Sequence, residues 1–319
     1  MHKYFLIPVT VFFAIISLIV FYLQYIYEDW KFDVIGIKKE VPIYCNDLNK
    51  VEIISDSKDD LQGRSFKDQI DKSLKHQFHA IYLLPCDEID RKFDVNKNIE
   101  YSINSINQWF LDRTKNQLIN FDRTISNNID VTFLRVNKSM KWFTKFSTQE
   151  NNKKDTSSKI EKIILSNANY FNNFKNKKFL VFFEGWEKRN SLFIDVCGKS
   201  RFNGKVAIFY TNGKWKKIAD KNQKDFSCTK DNLNNSENDE FGESEETILH
   251  EILHTLGAPP KCGKNLDPEN KFHVADSNKD ILYKVSGNMY LDFNNDDYYK
   301  HNIENCPDLS QNKYLIDTN

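Results

Sequence analysis

The chain has 319 residues, enough for one large domain or two small ones, so its core can be substantial without help from metals or disulfides. Its 45 basic residues balance 45 acidic ones, and a formal charge of zero leaves no global field to draw in nucleic acid or an anionic surface. A nucleic-acid partner is disfavoured on that ground, and the heavy use of Asn, Lys, Ile and Phe reads as the mutational bias of an AT-rich bacterial genome.

Residues 4–26 are almost wholly apolar and uncharged, long enough as a helix to cross a hydrocarbon core of about 30 Å. Lys3 precedes this segment and Glu28 and Asp29 follow it, which puts the N-terminus in the cytoplasm and the rest outside. A cleaved signal peptide followed by secretion is the competing reading. Gln24, Tyr25, Ile26 and Tyr27 offer no small-residue cleavage site, so residues 1–27 are expected to be an uncleaved transmembrane signal anchor that ties the protein to a membrane, with the working part periplasmic or on the cell surface. Cys45, Cys86, Cys197, Cys228, Cys262 and Cys306 all lie on the exported side, and their even number suggests up to three disulfides. None forms a Cys-x-x-Cys pair, which argues against a cysteine-held structural zinc. Of the fifteen ways to pair six cysteines we expect the sequential one, Cys45 with Cys86, Cys197 with Cys228 and Cys262 with Cys306.

Residues 28–75 mix charges with short apolar pieces and read as a stalk or small adaptor, with the globular domain over 76–319. Ser65 and Asp68, with Phe66, Ile70 and Leu74 on one face, predict a capped helix leading into a strand over 78–84. Ile99, Ile103, Ile106 and Phe110 predict an amphipathic helix, and 129–136 alternates as a strand does. Ser158 with Glu161 makes a capping box for a helix that turns Ile160, Ile163, Ile164, Ala168 and Phe171 inward. Short strands follow over 179–183 and 205–210. Between 220 and 246 the chain is polar, and a long mobile loop is expected beside the helix that follows. The Asn-x-Ser/Thr sites at Asn137 and Asn234 are coincidental in so asparagine-rich a chain.

The run His250-Glu251-Ile252-Leu253-His254-Thr255-Leu256-Gly257 carries the chemistry. Residues four apart share a helix face, so both imidazoles can meet one ion while Glu251, rotated by about 100°, reaches a water beside it. This is the pattern of a catalytic zinc site. Leu249, Ile252, Leu253 and Leu256 supply an apolar stripe, and Gly257 stands where a helix end wants a residue tolerant of positive φ.

A catalytic zinc takes three protein ligands and keeps a fourth position open. In the metzincin pattern the third is a histidine three residues after the glycine, and here Pro260 stands in that place. His273, in Phe272-His273-Val274-Ala275-Asp276, is the expected third ligand. Asp276 is its orienting carboxylate or the alternative ligand, and His301 and Glu269 remain as further choices. Asp292, Asn294 and Asp296 alternate like the start of a calcium loop, but Asp297 stands where glycine is needed and no glutamate follows at position twelve, so this stretch reads as a solvated turn.

His250 to Pro259, followed by His273-Val274-Ala275-Asp276 and Asp280-Ile281-Leu282-Tyr283, resembles exported bacterial zinc peptidases of the zincin superfamily. Ile81 to Pro85 with Asp90-Arg91, Trp109-Phe110, Cys197-Gly198, and Leu291-Asp292 with Asp297-Tyr298-Tyr299 look like that group's further landmarks, so the likeness runs from about His76 to the C-terminus. The resemblance implies an α+β, zincin-like catalytic domain: a mixed β-sheet, an active-site helix and a small irregular C-terminal subdomain. Where the family has methionine after the third ligand this chain has Leu282, which leaves Met289 to supply a methionine floor. The reaction expected is hydrolysis of a protein or peptide substrate with Zn2+ as cofactor, Glu251 as general base and then acid, and Tyr283 as a donor to the oxyanion. The alternative is a zinc-binding extracytoplasmic adaptor domain without hydrolysis.

Overall fold

The computed structural model describes residues 45–48, 50–54, 63–145, 155–189, 194–216, 225–229, 233, 241–284 and 289–318. In chain order these form β1 (Gln77–Pro85), α1 (Asn98–Thr114), β2 (Gln117–Ile119), β3 (Val131–Val136), α2 (Met140–Thr144), α3 (Thr156–Ser166) and β4 (Lys177–Phe183). There follow β5 (Glu187–Arg189), β6 (Ile194–Val196), β7 (Gly198–Ser200), β8 (Val206–Tyr210), β9 (Lys214–Lys216), β10 (Asp225–Ser227), α4 (Glu243–Thr255) and β11 (Leu315–Asp317). The segment 4–26, read as a membrane anchor, lies outside the described residues. Among the described residues no helix is long and apolar enough to cross a membrane.

Strand β1 is buried along its whole length, and its near-continuous apolar run suits a strand covered on both faces. It lies inside a five-stranded mixed sheet of order β3-β1-β4-β8-β7, in which the first four strands run parallel and β7 closes the end antiparallel to β8. The two-residue period of the strands sorts the core into layers. Tyr82, Leu84, Leu180, Phe182, Ala207 and Phe209 meet α1 and α4 on one face. Ile81, Leu83, Val181, Phe183, Ile208 and Tyr210 meet α2 and α3 on the other. Helices on both faces of a mostly parallel sheet make this a mixed α/β arrangement. From Gly257 to Tyr314 the described chain has neither α-helix nor strand and is tied by its loops.

The residues read as a stalk are partly stitched to this body. Cys45 is bonded to Cys86, Ile53 bridges to Val136, and Ser65 bridges to Thr132. Arg64 is buried between Asp90 and Asp94, and Tyr44–Asn319 makes one compact unit. The helix predicted from Ser65 does not form. Its backbone is spent elsewhere, since the Asp68 N–H donates to the Tyr170 carbonyl and the Gln69 N–H to Asp130, while Ile70 and Leu74 stay exposed. Asp68 is instead drawn inside to the Lys177 ammonium, which also meets Asp71 at 2.6 Å and Asp122 at 2.5 Å, all four side chains being buried. Helix α3 is present but begins three residues earlier than the capping box predicts. Asp155, not Ser158, is its cap, accepting the Ser158 N–H at 2.9 Å. The polar stretch 220–246 holds β10, paired with β9, and the first turn of α4, so the loop is shorter than predicted, and most of what lies between them is outside the described residues. Asn137 is buried with its amide bonded to Glu52 and Lys50, closed to glycosylation. All three disulfides join the cysteines paired sequentially, and such bonds persist in oxidising compartments.

Candidate metal centre

Helix α4 carries the site because its apolar stripe leaves only one face free. Ile248, Leu249, Ile252 and Leu253 are fully buried against the sheet and α1, which turns His250, Glu251 and His254 away from the core. Both helix ends are fastened. At the start, the Glu245 carboxylate accepts the Gly242 N–H at 3.2 Å and the Ser102 hydroxyl, and the Ser244 hydroxyl donates to the Cys228 carbonyl at 2.8 Å. At the end, the Asn203 N–H donates to the His254 carbonyl at 3.0 Å, and Gly257 turns the chain at a φ of 89°, where a side chain would also strike Asn203.

The imidazoles are oriented by main-chain carbonyls. His250 donates from Nδ1 to Ile281 at 2.7 Å and His254 from Nδ1 to Ala258 at 3.0 Å. A carbonyl only accepts, so each Nδ1 holds the proton and each Nε2 keeps a lone pair. Those two Nε2 atoms face each other at 2.9 Å. Burial pushes the His250 imidazole down to about 4, with His273 adding to the shift and the Ile281 carbonyl opposing it. Burial, then His250 and His273, holds His254 well below its ordinary value, so both rings are neutral at pH 7. His273 completes the group, its ring 5.2 Å from each of the other two, with a nitrogen from all three within 4.8 Å of one another. Lone pairs aimed together in a buried place repel unless a cation sits among them, so this donor set fits a metal ion.

The chain matches no family model and no curated protein. The site is therefore read from its geometry.

Glu251 is nearly buried and turns toward the edge strand β7, where Oε2 accepts the Ser200 hydroxyl at 2.6 Å. Burial pushes its carboxyl up to about 7; the Ser200 hydrogen bond and the Lys199 charge pull it back, and Glu187 adds to the rise. The approach of α4 to β7 depends on Gly198, whose missing Cβ would lie 2.6 Å from the Glu251 Cγ. Neither Gly198 nor Ser200 was assigned a role from sequence. Nothing local links them to a helix about fifty residues further on, and the Cys197-Gly198 pair is the one sequence signal beside that strand.

The other expected residues divide. Asp276 does not join the histidines but groups with Asp296 and Asp297. His301 is held in the C-terminal loop by the Pro307 carbonyl and the Ile303 N–H, and Glu269 is exposed beside Lys284. Tyr283 is half-buried and bridges to Val274, the residue after His273. Leu282 is fully buried next to Ile281, whose carbonyl holds His250, whereas Met289, the residue expected to supply a methionine floor, is 49 % exposed. Asp292 is not in a solvated turn. It is buried, and its Oδ2 accepts the N–H groups of Tyr298 and Tyr299 at 2.6 Å each. The remaining landmarks are structural: Tyr82, Arg91 and Thr211 converge on buried Glu184, and Trp109 stacks on Phe241 just before α4.

Proposed function

We propose that this chain is a zinc-dependent endopeptidase of zincin type, working outside the cytoplasm. The observation that carries the reading is the 2.9 Å approach of two imidazole lone pairs beside a third histidine and a buried carboxylate on the same helix. His250, His254 and His273 would hold the ion, and three imidazole donors suit a zinc whose fourth position would take water. When bound, zinc supplies Lewis acidity toward the scissile carbonyl and makes water nucleophilic at neutral pH.

Glu251 moves the proton. Ser200 holds Oε2, which leaves Oε1 to take a proton from water and return it to the departing amine. A carboxyl pushed up to about 7 by burial suits a group that must do both. Among the described residues no strand pairs with the outer edge of β7, so an extended peptide can add there by main-chain hydrogen bonds and lie alongside Glu251. We assign Tyr283, on the segment bridged to the residue after His273, to hydrogen-bond the developing oxyanion. The three disulfides agree with an extracytoplasmic setting, and the apolar segment 4–26 would tether the enzyme to the membrane.

The test compares cleavage of a quenched peptide library by the zinc-loaded wild-type chain and by Glu251→Gln. Glu251→Gln should keep its zinc and lose activity by about 10²-fold or more. Equal cleavage by both would refute the role of Glu251. A zinc-loaded wild type that cleaves nothing would favour the binding-domain reading.

A further inference from the structure

The register of the edge strand β7 fixes how it can meet an added chain. Tyr210 donates its N–H to the Cys197 carbonyl at 2.8 Å, which makes 197 and 210 a hydrogen-bonded antiparallel pair. Such pairs alternate along a ladder, so the next one is Lys199 with Ile208. The N–H and C=O groups of Gly198 and Ser200 therefore point to the outer edge, where no strand among the described residues takes them. Side chains alternate with the same period. Gly198 and Ser200 face Glu251, while Lys199 and Arg201 face the start of α3.

An extended chain added to this edge, in either direction, turns its residue opposite Lys199 toward α3, because residues opposite each other share a face of the sheet. There the surface opens into a hollow of about 260 Å³ lined by Asp155, Ser158, Glu161, Lys199 and Arg201, with Ile208 in its wall. Its acceptors are largely used. Asp155 accepts the Ser158 N–H and the Ser157 hydroxyl, each at 2.9 Å, and Lys199 at 2.7 Å. Glu187 behind it accepts Lys199, the Tyr210 hydroxyl and the Ser157 N–H. Its donors are not used up. Lys199 spends two of its three N–H groups on Asp155 and Glu187. Arg201 reaches only Glu161 at 3.1 Å and Ser158 at 3.3 Å among the described residues, which leaves most of its five N–H groups available. The cations are also the accessible charges: the side chains of Lys199 and Arg201 are 38 % and 67 % exposed, against 26 % for Asp155, 18 % for Glu161 and 6 % for Glu187.

We infer that this hollow is a specificity subsite of the proposed peptidase, selecting an acidic side chain on the substrate residue that lies opposite Lys199. The inference rests on the reading of β7 as the strand that receives the peptide. A carboxylate in the hollow takes the outward N–H groups of Arg201 and the third hydrogen of Lys199 and displaces only water. A lysine or arginine there meets two cations, and to reach Glu161 it must first break the Arg201–Glu161 pair. Arg201 is a specificity-determining residue and not a catalytic one, since it lies on the face of the sheet away from Glu251.

The test uses the full chain and a positional-scanning library of extended peptides, read as cleavage by the zinc-loaded wild type and as retention by Glu251→Gln, which holds peptide without turnover. At one position both readings should favour Glu over Lys by about five- to tenfold, the scale of one exposed charge-assisted contact. Arg201→Glu should reverse that preference and Arg201→Gln should abolish it, while the positions on either side, which face α4, keep theirs. A loosened fold would weaken all positions together. Retention of acidic peptides without any cleavage would refute the peptidase reading and leave the subsite standing. Cleavage with no acidic preference at any position, equal retention of Glu and Lys peptides, no retention of any peptide, or an unchanged preference in Arg201→Gln would each overturn the inference.

Discussion

Replacing Gly198 by alanine should abolish the proposed peptidase activity while leaving metal binding by the histidines in place. The new Cβ would stand 2.6 Å from the Glu251 Cγ, 2.8 Å from the Thr247 Cγ2 and 2.9 Å from the Glu251 Oε1. Carbon atoms in ordinary contact sit about 3.5–4.0 Å apart, so the overlap is about 1 Å on two side chains at once. Rotating Glu251 alone does not relieve it, because Thr247 remains, and rotation gives up the Ser200 hydrogen bond. Helix α4 must move off β7, yet Ser244 with the Cys197–Cys228 disulfide and the Asn203 contact to His254 resist at both ends. Overpacking of this kind costs about 1–3 kcal/mol, or about 2–10 °C in Tm for a body of this size. On the proposed mechanism, a displacement of about 1 Å at Glu251 lowers kcat/KM by up to about 10²-fold. Calorimetry, a peptide-cleavage assay and bound-zinc measurement read the three effects. A Gly198→Ala chain with native Tm and native kcat/KM would show that the helix does not rest on this strand as described.

Lys177→Met should destabilise the fold by about 3–5 kcal/mol in urea titration, because Asp68, Asp71 and Asp122 are left buried without their cation; a loss below about 1 kcal/mol would mean that water reaches them. Asp280 is pushed up to about 7 by burial, against hydrogen bonds from the Leu282 and Phe293 N–H groups and the Tyr298 hydroxyl and with Asp292 adding to the rise. The folded state therefore holds a proton there that the unfolded chain has released above about pH 4, and this share of stability is lost as pH rises toward 7. Asp280→Asn should remove that slope, making the stability of the variant relative to wild type climb by up to about 1.4 kcal/mol per pH unit across that window; parallel pH profiles would contradict it. Removing the Cys197–Cys228 bridge with a double alanine variant opens a loop of 31 residues and should cost about 3.5–4 kcal/mol, with activity falling further than stability because the bridge joins β7 to the contact that fastens α4. Activity that tracks stability alone would separate the bridge from the site.

What could be read from the residues was what repeats locally. The apolar run that became β1 and the helical periods of α1 and α4 name their own partners, since burial of a stripe or a strand is decided within one element. The His250, Glu251 and His254 constellation was legible for the same reason, one helix fixing all three directions. Long-range competition hid the rest. Ser65 and Asp68 carry a helix start, but Asp68 gains more from the Lys177 ammonium than from a free helix end, so tertiary contacts overrode the local signal. Asp155 outcompeted Ser158 as a cap because it also pairs with Lys199 at 2.7 Å. Gly198 and Ser200 touch Glu251 only through the fold, and the acidic group at Asp276 is assembled from two separate loops, so no spacing in either loop reveals it.

Metal content is the measurement closest to the central claim. The full chain, folded with zinc supplied and freed of excess, should carry one tightly held zinc by elemental analysis; His254→Ala should lose it, and Glu251→Gln should retain it. A wild-type protein that binds no stoichiometric zinc, or a His254→Ala protein that binds it as well as wild type, would contradict the account.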